Sequence, residues 1–305
     1  MDEHFLIRKQ VLRNGTGKKR FCVVTGTHGD ELEGQLVCYE VNRIIQQNIE
    51  KLNGQVEIYP ALNPLGIDTI QRGVPNFDLD MNRIFPGDPL GTMVEQTAYT
   101  IVEDMKGADM VLDVHSSNLY LRETPQVRIN VLNEEELVPM AKHLGIDFIW
   151  VHDAATVLEA TLAYSLNSTG TPCLVAELGV GQRINHSMCS RLVTGIFNLM
   201  YEMGIWTEKP DTSMLPEPIV CKGDVVEFLN ADTSGVFLTE LRTGMNVKKG
   251  DLLGEIVDPL QGKVLSEVRA PQDGFLFTIR AYPIVYEGSL MARIKVAEPA
   301  TPEQQ

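Results

Sequence analysis

The 305-residue chain is short of several features that would place it in a special class. No apolar run approaches the ~18 residues that a membrane span needs. No cysteine framework exists: Cys22, Cys38, Cys173, Cys189 and Cys221 are odd in number, widely spaced and free of any C-x-x-C pair, which suits a reducing compartment. Basic stripes are missing too. Lys and Arg number 26 against 41 Asp and Glu, the formal net charge is −15, and the densest basic cluster, Lys18-Lys19-Arg20, is expected on a solvated hairpin. An acidic body repels phosphate backbones, so a nucleic-acid partner is not expected, and a membrane partner is not expected either. The opening stretch MDEHFLIRKQVLRNG scatters charge where a signal peptide carries an apolar core, so a cytoplasmic location is expected. No G-x-S-x-G elbow appears, which disfavours a serine hydrolase.

What remains is the composition of an ordinary soluble enzyme, 44% hydrophobic and 22% charged. The length suits one large domain and one smaller one, with no need of covalent staples. Residues 1–206 alternate short apolar runs with amphipathic segments. Strands are expected at 21–25, 56–59, 110–114, 148–151 and 173–177, and helices at 32–45, 92–105, 134–144 and 187–203. Cys22 and Cys173 fall inside apolar runs and read as core. This alternation predicts an α/β fold: a mixed, largely parallel sheet flanked by helices. Residues 207–218 carry three prolines and few hydrophobes and read as a linker.

Residues 219–305 read as a smaller all-β barrel or sandwich with an internal repeat. Gly235-Val-Phe-Leu followed by 247–256 matches Gly274-Phe-Leu-Phe followed by 285–294. The pattern is similar to half-repeats of biotinyl and lipoyl carriers. A modifiable lysine in Met-Lys-Met or Asp-Lys-Ala context is absent, so a structural or pocket-rim role is preferred.

Ligands of open α/β sheets bind beyond the carboxyl ends of strands, and His28, His115 and Glu177 each fall at such an end. In Gly26-Thr-His28-Gly-Asp-Glu31, a histidine and a carboxylate three residues apart at a helix start share a face and can reach one cation. Imidazole and carboxylate suit zinc, and a third ligand leaves a position open for water. His115, after the apolar strand, is the third candidate; Asp113, two residues earlier and pointing the same way on the strand, is a candidate outer acceptor for it, a pairing that the spacing leaves open. Asp30 and Glu33 are competing carboxylates that read as solvated. Glu177 closes an apolar strand, where partial desolvation would make it a useful base. Between these positions, 63–91 is too long for an idle connection and carries Arg72, Asn82 and Arg83 among glycines and prolines, as a recognition loop would.

Together, Gly-x-His28-Gly-x-Glu31, Asn63-Pro, Arg72, Asp80-x-Asn82-Arg83-x-Phe-Pro-Gly, Asp113-x-His115-Ser and Glu177-Leu-Gly resemble the succinylglutamate desuccinylase/aspartoacylase family, within the zinc carboxypeptidase-like superfamily. The resemblance implies one Zn(2+) per chain held by His28, Glu31 and His115. It implies Arg72 on the oxyanion, Asn82 and Arg83 on a substrate carboxylate, and Glu177 as general base. The implied activity is hydrolysis of a linear amide in a small N-acyl amino acid or N-acyl amine. Ten residues before the base, aspartoacylases carry a carboxylate-binding arginine. Here that count falls on Asn167, which argues against N-acetylaspartate and succinylglutamate. Arg128 and Arg183 are candidate substitutes, and Tyr282 and Tyr286 are candidates for a tyrosine that enters the pocket in relatives. A carboxypeptidase acting on short peptides would use the same residues. A non-catalytic binding protein on this fold would be expected to lack a ligand or the base. A homo-oligomer is compatible with the sequence but does not follow from it.

Overall fold

The computed structural model describes residues 6–153, 159–223 and 225–297; the extreme ends of the two expected domains, 1–5 and 298–305, lie outside them. The chain divides into two compact units. The first takes in the chain up to Asn118 and Pro125–Val220, including the proline-rich 207–218; the second takes in Leu119–Thr124 and the chain from Cys221 onward.

In the first unit the elements are β1 (Gln10–Asn14), β2 (Arg20–Thr25), α1 (Glu33–Gln47), β3 (Gly54–Tyr59), α2 (Pro64–Thr69), α3 (Met93–Met105) and β4 (Met110–Ser116). They continue with β5 (Leu121–Asn130, in this unit from Pro125), α4 (Glu134–Ala141), β6 (Phe148–His152), α5 (Leu162–Ser168), β7 (Cys173–Gly179), α6 (His186–Glu202) and β8 (Ile219–Lys222, in this unit to Val220). The strands run in the order β1-β3-β2-β4-β7-β5, with β6 beside β5. The β3, β2, β4 and β7 pairs are parallel, as is β5 with β6, while β1 is antiparallel to β3. This is the expected mixed, largely parallel sheet.

Strand alternation sends successive side chains into two separate cores. Phe21 and Val23 join Leu112, Val114, Leu174 and Ala176 beneath α1, α4 and α6. Cys22 and Val24 join Val111 and Cys173 on the other face, beneath α3 and α5. All five cysteines are buried and unpaired. Helix α1 buries Val37, Cys38, Val41 and Ile45 at helical spacing, and α3 opens with a Thr92–Glu95 capping box.

The hairpin expected around Lys18-Lys19-Arg20 does not form, because β1 pairs with β3 rather than β2. Lys18 and Lys19 are exposed. Arg20 lies in β2 and donates to the carbonyls of Asp104, Met105 and Lys106 at 3.0, 2.8 and 2.8 Å. A guanidinium there neutralises the negative end of the α3 dipole.

The second unit is built from β9 (Val226–Asn230), β10 (Gly235–Leu238), β11 (Met245–Val247), β12 (Leu252–Asp258), β13 (Lys263–Arg269), β14 (Gly274–Arg280), β15 (Ile284–Val285) and β16 (Leu290–Val296). The repeat seen in the sequence is real and interlocked. Phe237 faces Ile256 in the first copy as Leu276 faces Ile294 in the second. Each copy also lends a short strand to the other: Gly235 pairs with Val285, and Gly274 with Val247. The exchange makes the two copies mutually dependent, because each completes its partner's sheet.

Candidate metal and catalytic centre

The loop between β2 and α1 carries the first two ligand candidates. Residues 26–31 are a turn rather than the expected first helical turn. His28 and Glu31 meet because the Glu31 N–H folds back to the His28 carbonyl at 3.4 Å. Gly29 makes the turn possible: a methyl group there would overlap the backbone of Gly66 in α2. Its N–H donates to the Gln71 carbonyl at 3.1 Å, locking the turn against the loop that carries Arg72.

Ligand atoms of His28, Glu31 and His115 lie within 4.8 Å of one another, and all three residues are buried. Glu31 is the hub. Its Oε1 is 2.8 Å from His28 Nδ1 and accepts from the Arg72 guanidinium at 2.9 Å. Its Oε2 is 3.0 Å from His115 Nδ1 and accepts from the Ser116 N–H at 3.0 Å. The far nitrogens are also matched to carboxylates. His28 Nε2 is 3.0 Å from Asp80 Oδ1, and His115 Nε2 is 3.0 Å from Asp113 Oδ2. Two imidazoles thus turn Nδ1 toward one carboxylate and Nε2 toward another; the His28–Asp80 contact is a hydrogen bond of the kind by which an outer carboxylate orients a metal-binding histidine, whereas His115 and Asp113 are close without that alignment.

The electrostatics agree. Burial opposes charge on Glu31, but the two histidines outweigh it and hold the carboxyl well below the usual carboxylate range. Burial likewise opposes charge on Asp80, and its bond to His28 with the Arg72 and Arg83 charges holds its carboxyl low. Both imidazoles resist losing their protons despite burial, His28 through Glu31 and Asp80, and His115 through Asp113 and Glu31. Glu31, Asp80 and Asp113 converge on one small volume, a concentration of negative charge that calls for cations. His28 Nδ1 is buried and has no hydrogen-bond partner among the described residues, although it approaches Glu31 so closely. Two donor atoms at that separation without hydrogen-bond alignment suit a shared cation, and the donor set fits a divalent metal.

Glu177 stands beside this cluster. In parallel β4 and β7 it is the register partner of His115, and side chains at paired positions share a face. Its Oε1 is 3.3 Å from the Arg128 guanidinium. Its charge also reaches Arg72, whose guanidinium is disfavoured by burial and favoured by Glu31, Asp80, Asp30 and Glu177.

The succinylglutamate desuccinylase/aspartoacylase catalytic-domain model matches residues 18–203, well over half of the chain. The chain belongs to this family. A curated relative, N-alpha-acetyl-L-2,4-diaminobutyric acid deacetylase of Halomonas elongata, is 26% identical over 95% of this chain and 85% of its own length. The crystal structure of a succinylglutamate desuccinylase/aspartoacylase from Rhodobacter sphaeroides is 24% identical and superposes with a TM-score of 0.81, covering 96% of this chain and 89% of that one. The product-bound ectoine utilization protein EutE (DoeB) from Ruegeria pomeroyi is 22% identical with a TM-score of 0.81, covering 95% and 88%.

The family's remaining motif residues are distributed as follows. Arg72 is pinned by Glu31 at 2.9 Å and by Asp80 at 3.2 Å while its side chain stays 38% exposed. Asp80 therefore braces His28 and Arg72 together, and its Oδ1 also accepts the Asn82 N–H at 2.9 Å. Asn82 is buried, and its Oδ1 accepts the Leu162 N–H at the start of α5 at 3.0 Å. Arg83 is exposed and donates to the Asn82 carbonyl at 2.7 Å. Asn167 holds the opposite end of β7 from Glu177, bonding the Cys173 N–H and carbonyl at 2.8 and 3.0 Å. The start of α5, not Asn167, reaches the Asn82 loop, and residues 159–168 contain no arginine. Arg128 meets Glu177, whereas Arg183 is exposed and bonds the carbonyl of its neighbour Gln182. Tyr282 packs edge-on against Tyr120 in the second unit, and Tyr286 is exposed.

Two carboxylates read as solvated are not. Asp30 is 3% and Glu33 0% exposed. Glu33 accepts from the Ser116 hydroxyl and from the Val180 N–H at 3.4 Å, tying the starts of α1 and of the β7 exit to the end of β4; burial pushes its carboxyl up to about 7. The sequence signal for this was its place four residues before Val37, on the Val37–Val41–Ile45 stripe of α1. Among the described residues no helix is long and apolar enough to cross a membrane.

Proposed function

We propose that the protein is a zinc-dependent deacylase that hydrolyses the linear amide of a small N-acyl amino acid or N-acyl amine. The observation that carries this reading is the His28–Glu31–His115 cluster with Glu177 in register beside His115. A zinc ion held by His28, Glu31 and His115 would polarise the scissile carbonyl and make water acidic enough to lose a proton near neutral pH. Glu177 takes that proton on its carboxylate as water attacks the carbonyl carbon, then delivers it to the departing amine nitrogen. Arg72, held by Glu31 and Asp80 with part of its guanidinium exposed, faces the developing oxyanion, an interaction often worth about 3 kcal/mol per donor. Asn82 and Arg83 bind the substrate's carboxylate and set its orientation. The Asp80 carboxylate bonded to His28 and the Asp113 carboxylate close to His115 support the metal assignment, and the diaminobutyrate deacetylase relative supports a small N-acyl substrate.

A panel of N-acetyl and N-succinyl amino acids, mono-acylated diamines and dipeptides tests the proposal, using zinc-loaded and chelator-treated protein. Amine release from an N-acyl amino acid or N-acyl amine, abolished by chelation and restored by zinc, is expected. Preferential cleavage of dipeptides would replace the deacylase with a peptidase.

A further inference from the structure

The site described above has a flank on β5 and β6 that no family motif reaches. On β5, Val127 and Ile129 point into the core beneath α1 and α6, together with Leu174, Ala176 and Leu178 of β7. Arg128, between them, therefore projects from the opposite face, the face of Asp113, His115 and Glu177. Its register partner on β6 is Trp150, and the guanidinium carbon lies 5.9 Å from the centre of that ring. The guanidinium then meets Glu177 Oε1 at 3.3 Å. The pair is only partly exposed, 30% for Arg128 and 13% for Glu177, so solvent screens it weakly.

A glutamate has three side-chain torsions, and Glu177 stands at a strand end beside the reacting centre. A general base must lie within hydrogen-bond reach of the proton it takes, and a displacement of ~1 Å can cost about a hundredfold in rate. A planar guanidinium within cation–π range of an indole on one side constrains the carboxylate oxygen it meets on the other.

We propose that Arg128, backed by Trp150, is the positioning residue for Glu177, fixing the general base from the β5 side. The inference rests on the deacylase reading for its kinetic test. Its structural test is independent of activity.

Arg128→Met, Arg128→Gln, Arg128→Lys and Arg128→Ala are compared with the zinc-loaded wild type, with zinc content and circular dichroism recorded for each. Arg128→Gln stands in if the methionine variant does not fold. Loss of this constraint is expected to lower kcat about 10- to 100-fold with KM changed less than about threefold and zinc content unchanged. Arg128→Lys is expected to recover part of kcat, and added guanidinium to recover part of it in Arg128→Ala. In crystals of Arg128→Met or Arg128→Gln, the Glu177 carboxylate is expected to leave its wild-type position. A rise in KM at unchanged kcat would make Arg128 a substrate contact and overturn the proposal. So would unchanged kinetics, or a Glu177 that keeps its place. If the wild type hydrolyses nothing in the panel, the deacylase reading fails, and the crystallographic position of Glu177 still decides this proposal.

Discussion

Asp80 and His28, 52 residues apart in the chain, meet at 3.0 Å through Oδ1 and Nε2, and the same aspartate holds Arg72 through its other oxygen at 3.2 Å. One side chain thus orients a candidate ligand histidine and the proposed oxyanion donor together. Asp80→Ala is expected to weaken zinc binding about 10- to 100-fold, the usual effect of losing an outer partner of a ligand histidine. Competition with a chromogenic chelator measures it. Turnover at saturating zinc should fall as well, because Arg72 loses one of its two anchors.

Glu177→Gln separates metal binding from proton transfer. The amide keeps the shape of the side chain beside His115 but cannot accept the proton. The variant is expected to bind zinc like the wild type and to lose at least about a hundredfold in kcat. Metal analysis alongside steady-state kinetics checks both halves, and unchanged turnover would remove Glu177 from the base role.

Away from the site, Glu57 makes stability depend on pH. Burial raises its pKa, but bonds from Lys9, Tyr59 and Gln55 prevail, and the net shift is below 4.5. A depressed carboxylate adds stability that is fully present above its unfolded pKa and is lost as pH falls through the lower, folded value. The Lys9 pKa is shifted up from 10.5 despite burial, by Asp104 and Glu57, so its share is present below 10.5 and lost as pH rises through the folded value. Glu57→Gln is expected to cost about 1–3 kcal/mol at neutral pH and progressively less as pH falls below 4.5. Melting curves from pH 3 to 8 on both proteins measure the difference.

Gln126 is a cost that the fold carries. It is fully buried on β5, and neither amide atom has a hydrogen-bond partner among the described residues. Unpaired buried polar atoms cost about 1–3 kcal/mol, and an apolar side chain of similar size removes that penalty. Gln126→Leu is expected to raise the chemical-denaturation midpoint with no change in m-value.

The local parts of the molecule were legible because local pattern decides them. Expected strands at 21–25, 110–114 and 173–177 correspond to β2, β4 and β7, and helices at 92–105 and 187–203 to α3 and α6 within a residue. The elements β1, α2, β5 and α5 escaped notice. In β5 the positions in line with Val127 and Ile129 include Glu123 and Pro125, so its apolar alternation is broken in its first half. α5 is seven residues long and too short for a helical period to stand out. The ligand candidates were legible as motifs, whereas the reason given for His28 and Glu31 was a helical face and the structure supplies a turn.

By itself the sequence determined most of the strands and helices in chain order, the repeat in the second unit and the placement of His28, His115 and Glu177 at or just beyond the carboxyl ends of strands, with Glu31 three residues after His28, since periodicity and short motifs are properties of neighbouring residues. Only the tertiary structure decided that Asp80 serves His28, that Asp30 and Glu33 are buried, that Arg128 meets Glu177, and that the two repeat copies exchange strands. Each of these is a contact between residues far apart in the chain or a burial imposed by another element. Such contacts are set by sheet order and register, which no local pattern encodes.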